Sequence, residues 1–116
     1  MYTLQKEINI CCAHSLQDSE SLTTKQCLNL HGHNYKVKVI IKTDTLISGM
    51  VIDFGRIKEI VNTLDHQNLN DFIEQPTAEN MAKYFHDKIQ DTLDGRTGLV
   101  EIEVEETPGS LIKYEI

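Results

Sequence analysis

Cys27-Leu28-Asn29-Leu30-His31-Gly32-His33-Asn34-Tyr35 sets a thiol, two imidazoles and a glycine at the head of an alternating run. On an extended strand, residues i and i+2 point to the same face. His31, His33, Tyr35, Val37, Val39 and Ile41 therefore share one side, while Asn34, Lys36, Lys38 and Lys42 lie mostly on the other. This predicts a strand over residues 31–42 with one buried face, and Gly32 is expected to leave room at a crowded point. His31 and His33 would present two neutral nitrogen ligands side by side, suited to a borderline metal such as zinc. A pair is not a site, however, and a third ligand must come from elsewhere.

Upstream, residues 2–13 read as another strand, with Leu4, Ile8, Ile10 and Cys12 on one parity and Thr3, Gln5, Glu7 and Asn9 on the other. His14 carries the apolar parity. If the two strands pair antiparallel, as sequence neighbours often do, His14 joins His31 and His33. One histidine on an apolar face reads best as a hydrogen-bonded core residue; three converging ones read as a metal site, because unpaired buried polar groups are costly. Residues 15–29 between the strands are polar and unpatterned and read as a loop, long for a small domain, of the kind that is usually functional or disordered.

Downstream, Ser48-Gly49 signals a turn and Asp53 is placed to cap a helix over residues 54–64, whose Ile57, Ile60, Val61 and Leu64 form an apolar stripe. Capping is reason enough for Asp53. Asp65-His66 follows. An aspartate at a helix C-terminus opposes the dipole, so another need must keep Asp65 there. A carboxylate beside an imidazole suits acid–base work, although adjacent side chains often diverge. Thr77 is expected to cap a second helix, with Ala78, Met81, Ala82, Phe85 and Ile89 inward and an end before Asp94-Gly95; His86 falls off the stripe and reads as a solvated surface residue. Residues 98–107 alternate again, and Glu106 keeps the inward parity of Val100, Ile102 and Val104. An ionisable group on that face needs a partner or reaches solvent at a fraying strand end. Pro108-Gly109 then turns the chain into a last strand over residues 110–116. The order β-β-α-α-β-β predicts an α+β fold, a four-stranded antiparallel sheet covered on one face by two helices.

The chain of 116 residues is expected to form one domain over residues 1–116. A net charge of −7 argues against nucleic acid as a partner. There is no apolar run of membrane-spanning length and no signal-peptide layout, so the reading is cytoplasmic. Three cysteines, two adjacent, do not look like a disulfide framework. Cys11 and Cys12 face opposite ways, with Cys12 read as core packing.

Taken together, Ala13-His14, Cys27-x3-His31-Gly32-His33-Asn34-Tyr35, Gly49-Met50-Val51-x-Asp53-Phe54, Leu64-Asp65-His66-x2-Leu69-Asn70, Pro76-Thr77-x-Glu79-Asn80 and Glu106-Thr107 resemble the 6-pyruvoyl-tetrahydropterin synthase / 6-carboxy-tetrahydropterin synthase family. The matches run in order over almost the whole chain. The resemblance implies the tunnelling (T-) fold, a homohexamer built as a dimer of trimers, and active sites at subunit interfaces. It implies His14, His31 and His33 as Zn(2+) ligands, Cys27 as catalytic thiol, Asp65 and His66 as acid–base pair, and Glu106, Thr107 and Thr77 as pterin-binding residues.

The three-residue gap between Cys27 and His31 resembles the bacterial carboxy type of the queuosine (7-deazapurine) pathway. That type implies a lyase converting 7,8-dihydroneopterin triphosphate to 6-carboxy-5,6,7,8-tetrahydropterin with loss of acetaldehyde and triphosphate. A pyruvoyl-type synthase or a dihydroneopterin aldolase-like activity is the runner-up. A zinc-stabilised binding protein without catalysis comes third, since structural zinc needs neither Cys27 nor Asp65, His66 and Glu106. Members commonly carry a basic residue after the first histidine; here Ser15 stands there.

Overall fold

In the computed structural model, which describes residues 1–18, 22–93, 95–96 and 98–116, four strands form one antiparallel sheet in the order β1 (Tyr2–His14), β2 (His31–Thr43), β3 (Leu99–Thr107), β4 (Ser110–Glu115). Helices α1 (Phe54–Asn62) and α2 (Ala78–Thr92) occupy the β2–β3 connection. The expected order and chain course are both realised. Part of the expected loop (residues 19–21) and Asp94 of the helix-stop signal lie outside the described residues. A short 3-10 turn, Lys25–Leu28, forms inside the loop, and a second, Leu69–Asp71, follows α1.

Alternation decides which face is covered. Leu4, Ile8, Ile10 and Cys12 of β1, Tyr35, Val37, Val39 and Ile41 of β2, and Val100, Ile102 and Val104 of β3 are all buried. They pack with Ile57, Ile60 and Val61 of α1 and Met81, Phe85 and Ile89 of α2 in one core. The opposite face keeps its charges, paired as Lys36–Glu7, Lys38–Glu103 and Lys113–Glu101. Both helices are capped as the sequence predicts: Asp53 accepts from Gly55 N–H, and Thr77 accepts from Asn80 N–H. The β3–β4 turn runs through Gly109 at φ +91°, a left-handed conformation that favours glycine.

Two expectations need correction. His86 is buried at 2 % exposure, not solvated. The sheet is wider than the stripe on α2, so β4 covers that helix's second flank. There the His86 ring meets Tyr114 edge to face at 5.1 Å, and its Nδ1 lies 3.1 Å from Asp87 Oδ1. Gly32 is not at a crowded point within the chain: a Cβ there would sit 3.5 Å from the Cys12 carbonyl oxygen, an ordinary contact. No helix among the described residues is long and apolar enough to cross a membrane.

Candidate active site

The β1–β2 register pairs His14 directly with His31 and Cys12 with His33. Parity points all three imidazoles to the covered face at the end of the strands. One ligand nitrogen from each of His14, His31 and His33 lies within 4.8 Å of the others. The ring centroids of His14 stand 4.5 Å from His31 and 5.1 Å from His33.

The hydrogen bonds around the rings set their tautomers. His14 donates from Nδ1 to the Pro76 carbonyl at 2.7 Å, and His31 donates from Nδ1 to the Asn29 carbonyl at 2.6 Å. A carbonyl can only accept, so each neutral ring keeps a lone pair on Nε2. Those two Nε2 atoms face each other at 3.0 Å. Two lone pairs at that distance repel unless a proton or a cation sits between them. Burial opposes the proton, since it holds the pKa values of His14 and His33 below the ordinary imidazole value despite the nearby Glu106 carboxylate. His33 Nε2 is itself buried without a hydrogen-bond partner among the described residues. An orphaned nitrogen, two opposed lone pairs and neutral rings fit a nitrogen-loving metal ion such as zinc.

Glu106 keeps the inward parity of β3 and reaches the same space where the β3–β4 register shifts between Glu105 and Thr107. Its Oε1 lies 3.6 Å from His33 Nε2 and its Oε2 4.0 Å from His14 Nε2. Glu106 does not fray into solvent. It also lines a cavity of about 360 Å³ with Leu16, Thr77, Ala78, Leu111 and Ile112. Thr77 is therefore brought to Glu106, with its hydroxyl oxygen accepting the helix-cap bond. Thr107 lies beyond the register shift, exposed and paired with Ser110.

Cys27 is half-buried in the 3-10 turn. Its sulfur accepts a hydrogen bond from Thr24 Oγ1 at 3.2 Å, and its carbonyl accepts from Leu16 N–H at 2.8 Å. That second bond ties the thiol's segment to the chain leaving His14.

Asp65 and His66 are brought together by backbone geometry that spacing could not show. His66 adopts a left-handed conformation, φ +60°, which is uncommon for a residue with a Cβ. Its N–H donates to the Cys11 carbonyl at 2.6 Å, while Asp65 Oδ1 accepts from Cys11 N–H at 2.8 Å. The other Asp65 oxygen stands 3.5 Å from His66 Nε2. Asp65 is thus kept after α1 to dock this turn on the free edge of β1. His66 faces outward there, its side chain 79 % exposed, in a cavity bordered by Cys11, Cys12, Ala13, Gln67 and Asn68. Within one chain it does not line the cavity that holds Glu106 and Thr77.

Pro76 and Asn29, which orient the His14 and His31 rings, act through backbone carbonyls and so carry no side-chain signal in the sequence. Tyr35 had one in its parity. It is fully buried, its hydroxyl lies 3.3 Å from His14 Nδ1, and burial holds its pKa far above the phenol range.

Residues 3–116 match the family described as 6-pyruvoyl tetrahydropterin synthase. The chain is 34 % identical over 126 residues to the 6-carboxy-5,6,7,8-tetrahydropterin synthase of Synechocystis, covering 98 % of this chain and 93 % of that protein. It is 32 % identical to the Bacillus subtilis protein of the same name, covering 97 % and 84 %. Among solved structures, the 6-pyruvoyl tetrahydropterin synthase of Caenorhabditis elegans superposes with a TM-score of 0.73 at 28 % identity, covering 99 % of this chain and 95 % of that one.

Proposed function

The chain belongs to the 6-pyruvoyl tetrahydropterin synthase family, and from that premise we propose that it is a zinc-dependent lyase of the carboxy type. On this reading it converts 7,8-dihydroneopterin triphosphate to 6-carboxy-5,6,7,8-tetrahydropterin, with release of acetaldehyde and triphosphate, in 7-deazapurine (queuosine) biosynthesis. The observation that carries the reading is the pair of opposed Nε2 lone pairs on His14 and His31 beside the orphaned His33 nitrogen, next to a cavity that Glu106 enters.

His14, His31 and His33 would hold the metal, which supplies Lewis acidity toward the hydroxyls of the substrate side chain when bound. Glu106 accepts N–H groups from the amino-pyrimidine edge of the pterin in a bidentate, charge-assisted contact that fixes the ring, with Thr77 and Thr107 beside it. Cys27 takes and returns a proton at its sulfur, and Thr24 donates to that sulfur. His66 offers Nε2 for proton transfer, and the Asp65 carboxylate, 3.5 Å away, orients the ring. The Cys27-to-His31 spacing supports this product over the pyruvoyl one, and the two carboxy-type relatives agree with it.

The outward-facing His66 supports a site completed by a second copy, so we place catalysis in a homo-oligomer, a hexamer of single T-fold domains. The three free cysteines suit the reducing cytoplasm. The pyruvoyl-type reaction is the second reading, favoured by the fold shared with the nematode synthase.

The deciding experiment gives zinc-loaded protein dihydroneopterin triphosphate and identifies products by mass spectrometry. Acetaldehyde with a carboxylated pterin supports the proposal. A pyruvoyl product transfers the assignment to the second reading, and zinc binding with no turnover leaves a binding protein. Mixing Cys27→Ala with His66→Ala protein should restore activity if two chains share a site, and native mass spectrometry should show the hexamer.

A further inference from the structure

The chain that leaves His14 is held on one side by side chains acting as a strand. Ser15 donates its N–H to Asn70 Oδ1 at 2.9 Å, and its carbonyl accepts from Asn70 Nδ2 at 2.9 Å. Two residues on, Gln17 donates its N–H to Gln75 Oε1 at 2.8 Å, and its carbonyl accepts from Gln75 Nε2 at 3.3 Å. Leu16, between them, turns its N–H the other way, to the Cys27 carbonyl at 2.8 Å. Ser15 and Gln17 bonded on one side and Leu16 on the other is the hydrogen-bond alternation of an extended chain. A primary amide carries a donor and an acceptor on one plane, so each matches the N–H and C=O of one backbone residue.

Both amides stand on anchored backbone. Asn70 donates its N–H to Asn68 Oδ1 at 3.1 Å, and Asn68 bridges in parallel to Ala13. The Gln75 carbonyl accepts from Asn80 Nδ2 at 2.8 Å and from Thr77 N–H at 2.8 Å, which ties it to the start of α2. The residue after Gln75 is Pro76, whose carbonyl orients the His14 ring. One connection therefore holds the metal-ligand ring and, through residues 15–17, the backbone of the thiol.

We propose that Asn70 and Gln75 are positioning residues for the reaction. As a surrogate strand edge they carry the register of β1 past His14, and so set Cys27 at a fixed place relative to the three histidines. This rests on the reading of Cys27 as the catalytic thiol.

The test compares Asn70→Asp and Gln75→Glu with wild type. Each keeps shape and one bond but sets a carboxylate oxygen against a backbone carbonyl. Zinc content should stay at the wild-type level, kcat should fall about tenfold or more with KM within about twofold, and the rate at which iodoacetamide alkylates Cys27 in the native protein should change several-fold. Wild-type kcat and Cys27 alkylation in both variants would overturn the proposal, as would losses that only follow loss of zinc. If the variants do not fold, hydrogen exchange in the wild type decides. Ser15 and Gln17 amides should exchange at least about tenfold slower than an unstructured chain, and unprotected amides there refute the clamp. A wild type that binds zinc but leaves dihydroneopterin triphosphate untouched sinks the proposed function. The alkylation and exchange measurements then judge the clamp alone.

Discussion

His14 and His31 are direct cross-strand partners, and their Nε2 atoms face each other at 3.0 Å after both rings have donated from Nδ1 to backbone carbonyls. A cation between them would satisfy both nitrogens. Stripping the metal with a chelator should therefore lower the melting temperature. A ligand at a hundred times its dissociation constant contributes about 2.7 kcal/mol to the native state. His14→Ala and His31→Ala should each abolish stoichiometric zinc in elemental analysis; unchanged zinc in either would refute the ligand set.

Glu106 sits between the histidines and the cavity, so its role is separable by binding. Glu106→Gln should keep zinc and lower kcat/KM by about 10²-fold, the scale of losing a charge-assisted contact of about 2–3 kcal/mol. If the variant instead loses zinc and retains affinity for the pterin product, measured by calorimetry, the carboxylate serves the metal.

The docking bond of Asp65 and its proposed acid–base role can be parted by substitution. Asp65→Asn keeps an oxygen for the Cys11 N–H and loses the charge beside His66. Its denaturation midpoint should stay near wild type while kcat falls about 10²-fold. Asp65→Ala should additionally lose about 1 kcal/mol of stability by urea unfolding, because the docking bond goes. Equal activity for wild type and Asp65→Asn would remove the acid–base role.

Cys12 is buried, donates to the Leu64 carbonyl at 3.0 Å, and has its pKa pushed up to about 12, chiefly by burial. Iodoacetamide at pH 8 should label Cys11 and Cys27 but reach Cys12 only after unfolding, as peptide mass spectrometry will show. The unfolded thiol, near 9, loses its proton first. Stability should therefore fall as pH rises through 9 toward 12, since the native state then binds more protons than the unfolded one. A flat profile there, with early Cys12 labelling, would contradict the burial.

His86 offers a stability check on the fold. His86→Ala removes a buried ring packed on Tyr114 and should cost about 2 kcal/mol in urea unfolding; a solvated residue would cost under about 0.5 kcal/mol.

Period and parity in the sequence were enough to determine the strands, both capped helices and the convergence of His14, His31 and His33. Those features follow from which face of a strand or helix a residue occupies, and that is local. The inward aim of Glu106 was visible the same way, although its 3.6 Å distance to His33 was not. What needed the tertiary structure is everything set by where one segment lies against another. The left-handed turn that joins Asp65 to His66 exists because it docks on Cys11. His86 is buried because β4 lies beyond the stripe that the helix period reveals. The carbonyls of Pro76 and Asn29 set which nitrogens of His14 and His31 stay free, and the amides of Asn70 and Gln75 stand in for a strand. Backbone groups are the same at every residue, so no sequence pattern marks the ones that the fold will use.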